Sequence, residues 1–237
     1  MGTKIKVGLS GFSMARGKYY KIYEVVELQD TFYEIKKVDY YKKLREEAPE
    51  KFEFVIKVSQ LITHPPSSPT YKRLNIEIKN PENYGFFKPT EEVFNVWEHT
   101  ERIGNALRCN VFLFQTPASF KPSEENIENI KRFFTSIKRD KKIMCWESRG
   151  KWSKDEIEKI CKSLSLVDVV DPFEREGLPG ETLYYRIHGG RGYRKSYSEK
   201  ELLPLALKLK GKRGYVFFNN LSRIKDSQIF LKLIEKI

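Results

Sequence analysis

Eight short apolar runs, each closing on a polar side chain and most of them followed by a helix-like stretch, set the strongest limit on what this 237-residue chain can fold into. The runs are Lys4–Ser10, Val25–Thr31, Phe52–Ser59, Asn110–Gln115, Lys142–Arg149, Leu166–Asp171, Thr182–His188 and Tyr215–Asn219. Strands alternating with helices predict a parallel sheet, and eight of them in one chain of this length predict a single (β/α)8 TIM-type barrel over residues 1–237. A doubly wound open sheet is the alternative. Side chains alternate faces along a strand, so one face of each run can be followed to its end. Those faces end on Ser10, Glu27, Lys57, Gln115, Glu147, Asp171, His188 and Asn219, with Arg149 and Arg186 close to the ring they form. Upstream on the same faces stand Val25, Val55, Leu113, Cys145, Val169 and Phe217, which are core residue types. Barrel enzymes place their chemistry at the carboxyl ends of the strands, and a ring of buried charges is costly unless it is paired or binds a ligand.

The stretch Tyr184–Arg194, YYRIHGGRGYR, sharpens the expectation. Tyr184, Arg186 and His188 share a strand face. Gly189, Gly190 and Gly192 then permit positive φ and close approach to a ligand, while Arg191 and Arg194 offer forked donors to an anion. The loop after strand seven, with a helix start near Ser222 after strand eight, is where barrels often hold phosphate. Helix signals fill most of the gaps. Asp39 and Ser123 read as caps, Ser153/Glu156 and Ser198/Glu201 as capping boxes, Ser222 as the cap of a last helix, and Pro204 as a kink point. Residues 60–89 form a long proline-rich loop after strand three, with His64 near its start, and loops of that length are usually functional.

Cys109, Cys145 and Cys161 are widely spaced, which suggests neither a disulfide framework nor a thiolate zinc site, and Cys161 falls on a helix's apolar stripe. With only His64, His99 and His188 available, a metal would be held mainly by carboxylates, which favours magnesium or manganese. No apolar run reaches the length of a membrane helix and the N-terminus lacks a signal-peptide pattern, so a soluble, cytoplasmic protein without a membrane partner is expected. The net charge of +12 suits a polyanionic partner, nucleic acid among them. Abundant Lys, Glu, Ile and Tyr equally suits a thermophile's surface.

These residues support three readings. In the first, the protein is a metal-assisted phosphoester hydrolase, nucleases included. Glu27, Glu147 and Asp171 are then metal ligands or base, and His188 is acid/base. Arg149, Arg186, Arg191 and Arg194 hold the anion, and Ser10, His64, Gln115, Gly189, Gly190 and Asn219 line the substrate site. Glu147 could equally be neutralised by Arg186 or Lys57. In the second, the barrel is a nucleic-acid-binding module without turnover, with rim aromatics such as Phe12, Tyr19, Tyr20, Phe32, Trp146, Trp152 and Tyr193 available for stacking. In the third, it is a sugar or sugar-phosphate isomerase or lyase working through Lys57, as a Schiff base, or through His188.

LSGF (Leu9–Phe12), VELQDTFY (Val26–Tyr33), FEFVIKVSQLITH (Phe52–His64), FLFQTPASF (Phe112–Phe120), WESRGKW (Trp146–Trp152), YYRIHG (Tyr184–Gly189) and VFFNN (Val216–Asn220) together resemble the YecE-like family, domain of unknown function 72. The resemblance spans nearly the whole chain. It implies a TIM-type barrel and puts Glu27, Lys57, His64, Gln115, Glu147, Arg149, Arg186, His188 and Asn219 at the family's characteristic positions. The family usually has Thr-Ser-Gly-Trp where this chain has Leu9-Ser10-Gly11-Phe12, and Phe-Arg-His where it has Ser148-Arg149-Gly150. The resemblance implies a fold and no activity.

Overall fold

The computed structural model describes residues 4–236; residues 1–3 and 237, which the single-domain expectation includes, lie outside the described residues. Eight strands follow one another in order and close as a barrel: β1 (Ile5–Ser10), β2 (Val25–Leu28), β3 (Glu53–Lys57), β4 (Val111–Gln115), β5 (Ile143–Glu147), β6 (Val167–Val170), β7 (Leu183–Ile187) and β8 (Gly214–Phe218). Every described pairing is parallel. The protein is a (β/α)8 barrel. Its helices are α1 (Arg16–Tyr19), α2 (Asp30–Tyr33), α3 (Val38–Glu47), α4 (Gln60–Thr63), α5 (Glu91–Leu107), α6 (Glu124–Ser136), α7 (Lys154–Leu164), α8 (Glu199–Lys208) and α9 (Arg223–Glu235).

The contacts divide the chain into two compact units. One holds the described residues up to Glu27, Pro49–Glu53 and those from Val167 onward; the other holds Leu28–Ala48 and Phe54–Leu166. In the first unit β1 lies between β2 and β8, with Ser10 opposite Glu27 and Ile5 opposite Gly214. Gly8 makes that pairing possible, because a Cβ there would sit 2.4 Å from the Val25 carbonyl oxygen and 3.0 Å from the Phe217 ring. The buried Tyr19 hydroxyl accepts from the Leu9 amide and donates to the Val25 carbonyl, each at 2.9 Å, and so clamps β1 to β2.

The second unit is built on an aromatic core. Phe87 packs within 5.4–6.0 Å of Phe114, Phe120, Phe133 and Phe134. Phe87 belongs to the long loop after β3, which is therefore anchored along its length. Its Gly85 and Phe87 amides donate to the Leu61 and Ile62 carbonyls at 2.8 and 2.9 Å, and the Tyr71 hydroxyl donates to the His64 carbonyl at 2.9 Å.

Thr90 and Ser123 cap α5 and α6, and both expected capping boxes form, Ser153/Glu156 on α7 and Ser198/Glu201 on α8. Pro204 lies inside α8 without splitting it. Several local expectations change, strands three and five among them, which run Glu53–Lys57 and Ile143–Glu147 and stop two residues short of the expected ends. The second strand stops at Leu28, because the chain turns into α2 at Asp30. Asp39 stands in the first turn of α3, behind Lys37 at the cap position, where a carboxylate still meets the positive end of the helix dipole. Ser222 makes no side-chain cap, its φ of −89° and ψ of 18° lying outside the extended region in which a capping hydroxyl can turn back.

Candidate functional site

In the first unit the strand ends converge on Glu27, which is fully buried. Ser10 Oγ donates to its Oε1 at 2.8 Å and the Tyr184 hydroxyl to its Oε2 at 2.6 Å. Arg186 closes a two-pronged pair, Nη2 to Oε1 at 2.8 Å and Nε to Oε2 at 2.9 Å. A carboxylate offers about four lone-pair positions, and these four donors occupy them. Arg186, itself 1% exposed, also reaches toward His188, its Nη1 standing 3.5 Å from Nε2. On the other side of the imidazole, Nδ1 lies 3.4 Å from Asp171 Oδ2. Asp171 is held in turn by backbone, accepting the His188 amide on Oδ2 at 2.8 Å and the Phe173 amide on Oδ1 at 3.0 Å. Arginine can only donate, so a hydrogen bond between these two groups uses a lone pair on Nε2, in the tautomer that turns an Nδ1 proton toward Asp171.

Asp171, His188 and Asn219 each stand one residue beyond the last ladder residue of β6, β7 and β8, which frees their side chains from the sheet. Asn219 is half-buried, and its amide continues the ladder to the Ile187 carbonyl at 2.8 Å. Gly189, Gly190 and Gly192 all take positive φ, 76°, 65° and 75°. At Gly189 the need is also steric, since a Cβ would meet Asn220 Cβ at 2.7 Å and the Lys195 carbonyl at 2.8 Å. Arg191 and Arg194 project from this loop into solvent. Nearby, a groove of about 750 Å³ at the start of α9 is lined by Ser13, Ser222, Arg223, Lys225 and Lys232 among others.

Asp226, on α9, locks that loop. Wholly buried, it accepts from Asn220 Nδ2 at 2.6 Å, the Tyr197 amide at 3.0 Å and Ser196 Oγ at 2.9 Å. Asp226→Ala is expected to cost roughly 3 kcal/mol, read by urea unfolding, and to speed hydrogen exchange at the Tyr197 amide. A loss within 0.5 kcal/mol, about the scatter of a neutral surface change, would show that the loop holds itself. No sequence pattern marked Asp226, because its partners lie on other elements.

The second unit carries its own cluster. Lys57, buried at the end of β3, holds Nζ 3.9 Å above the Phe32 ring, and Thr31 Oγ1 fixes the backbone there by donating to the Lys57 carbonyl at 2.8 Å. His64, also buried, sets Nδ1 2.8 Å from Thr63 Oγ1 and packs edge-on against Phe32 at 4.9 Å. Burial, followed by the charges of Lys57 and Arg149, pushes its pKa down to about 3. Glu147, 3% exposed, receives Arg149 Nε at 2.9 Å and Nη2 at 2.8 Å on one oxygen. Gln115 ends β4, half-buried.

The arrangement offers the expected metal set little support: the two Glu27 oxygens already take four donors, and among the described residues no group of three or more His, Cys, Asp or Glu could hold a metal ion. Among the described residues no helix is long and apolar enough to cross a membrane.

A family model described as "Protein of unknown function DUF72" matches residues 16–236. Among solved structures, a DUF72 family protein from Enterococcus faecalis V583 is 20% identical, with a TM-score of 0.75 over 98% of each chain. Another from Thermotoga maritima MSB8 is 22% identical, with a TM-score of 0.68 over 98% of this chain and 99% of that one. A xylose isomerase domain containing protein from Salmonella typhimurium LT2 is 14% identical, with a TM-score of 0.59 over 100% and 96%. No curated protein matches the chain.

Proposed function

The chain belongs to the DUF72 family of proteins of unknown function, and we propose, from the geometry of its site, that it is an enzyme that transfers a proton on a small phosphate-bearing substrate, as isomerases and lyases do, with His188 as the acid/base. The observation that carries this reading is the line Asp171, His188, Arg186, Glu27. It supplies what a general base needs: a carboxylate that orients the imidazole, and on the opposite nitrogen only a long 3.5 Å contact to Arg186, which a substrate proton can displace. Arg186 stands beside that nitrogen with its charge already balanced by Glu27. It can meet negative charge that develops on a substrate oxygen without itself having to be newly buried.

The surrounding loop suits a phosphate. Arg191 and Arg194 offer forked donors, the left-handed glycines bring backbone close, and Arg223, Lys225 and Lys232 add positive charge along the neighbouring groove. A hydrolase built on Glu27 as a metal ligand loses support, because that carboxylate is saturated. A Schiff base at Lys57 gains none from a side chain laid over Phe32.

The test is deuterium incorporation from D2O into a panel of sugar phosphates and other phosphorylated hydroxy-carbonyl compounds, followed by NMR in chelator-treated buffer. His188→Asn keeps a donor toward Asp171 and removes the base, and is expected to lower exchange by about 10²- to 10⁴-fold. Equal exchange in both proteins would sink the reading. So would exchange in neither, accompanied by metal-dependent cleavage of phosphate esters or by salt-sensitive retardation of nucleic acid.

A further inference from the structure

Tyr193 occupies a backbone conformation that its side chain makes costly. Its φ is 61°, the left-handed region that glycine and asparagine enter easily and a bulky residue rarely does. The conformation is held from both sides, since the Tyr193 amide donates to the Gly190 carbonyl at 3.1 Å and its own carbonyl accepts the Leu221 amide at 2.8 Å. Gly190 and Gly192, both just before it in the chain, already take positive φ. The turn could therefore be made more cheaply with one more glycine at this position. Burial does not explain the tyrosine, because the residue is 40% exposed. Its ring lies 5.8 Å, centroid to centroid, from His188, and Arg191 and Arg194 flank it in the sequence. A second exposed aromatic stands on the loop after β6: Phe173 is also 40% exposed and stacks on Tyr197 at 4.4 Å.

We infer that Tyr193 is a substrate-positioning residue, a stacking wall over His188, and that the substrate carries a planar ring as well as a phosphate, in the manner of a nucleoside monophosphate. This deepens the acid/base reading of the same site and rests on it. Strain kept at an exposed residue beside a reactive group, when a neighbour of the same loop shows how to avoid it, points to a use for the side chain. A phenol ring offers a flat apolar face to a base or similar ring, and the adjacent guanidiniums meet the phosphate end. The two arginines by themselves would hold any phosphate; the aromatic face is what selects a ring.

The experiment compares Tyr193→Gly, Tyr193→Phe and the unaltered chain in two readouts. Tyr193→Gly relieves the left-handed backbone and is expected to raise Tm by about 2–4 °C, while weakening binding of nucleoside monophosphates, measured by calorimetry, on the order of tenfold. Tyr193→Phe should bind like the unaltered chain. Inorganic phosphate should bind all three alike. A Tyr193→Gly protein that loses stability and keeps its nucleotide affinity would overturn the inference and make Tyr193 a packing residue. Measuring deuterium exchange beside binding in the unaltered chain and in His188→Asn separates the two claims. Tyr193-dependent nucleotide binding with no exchange in the unaltered chain, or with equal exchange in both proteins, would leave the stacking wall standing without the acid/base reading. Exchange confined to ringless sugar phosphates, unaffected by Tyr193→Gly, would do the reverse.

Discussion

Replacing Glu27 with alanine is expected to destabilise the protein by roughly 3–5 kcal/mol. The pair it forms with Arg186 is buried at both ends, 0% and 1% exposed, and the guanidinium left behind would be charged in a place that water does not reach. Ser10 and Tyr184 would lose an acceptor as well. The cost belongs to breaking the pair and not to its net worth, so the double replacement Glu27→Leu with Arg186→Met should recover much of the loss. Urea unfolding of Glu27→Leu, Arg186→Met and their double, read as a mutant cycle, measures this. Singles that each cost under about 1 kcal/mol, the range of exposed ion pairs, would show that Glu27 is not the anchor of this end of the barrel. The double variant, even if well folded, is expected to have no proton-transfer activity, because His188 loses the cation beside it.

The acid side of the stability profile is expected to carry the mark of His64. Its folded pKa is held near 3 by burial, helped by Lys57 and Arg149, while in the unfolded chain it protonates near the ordinary value of about 6.5. Between these two values the unfolded state binds the extra proton, so stability falls as pH falls through that window. The contribution is fully present above about pH 6.5 and is gone below about pH 3. At pH 4.5 the loss from this residue alone is on the order of 3 kcal/mol. His64→Gln, which keeps a polar group for Thr63, removes the titration. Carboxylates elsewhere weaken both proteins alike, so the difference in urea midpoint between them should shrink or reverse from pH 7 to pH 4.5. A constant difference across that range would mean that His64 is hydrated in the folded protein.

The alternation of the apolar runs made the barrel and the polar strand ends legible, because period two assigns faces without knowledge of any partner. Capping boxes and left-handed glycines were readable for the same reason: their chemistry is complete within a few residues. Pairing across the sheet was not. Glu27 meets Tyr184 and Arg186 at separations of 157 and 159 residues, and nothing local distinguishes that match from the alternatives of Arg186 or Lys57 for Glu147. Glu147 takes Arg149, two residues on. The metal-ligand expectation for Glu27 followed from treating a buried carboxylate as unsatisfied. Four donors from three distant residues satisfy it, and only coordinates reveal that. Asp226 was invisible because it sits on a helix and serves a loop.

The seam where β1 lies against β8, with Ile5 opposite Gly214, also dictates an order of events at the ribosome. Of the barrel's strands β1 is made before β8, and it has to wait, one edge open, until Gly214 has been made. Until then its amides and carbonyls are available to any other extended chain, the template on which nascent chains aggregate. Lys4 and Lys6, charged and set at the start of that edge, are placed where charge discourages such mispairing.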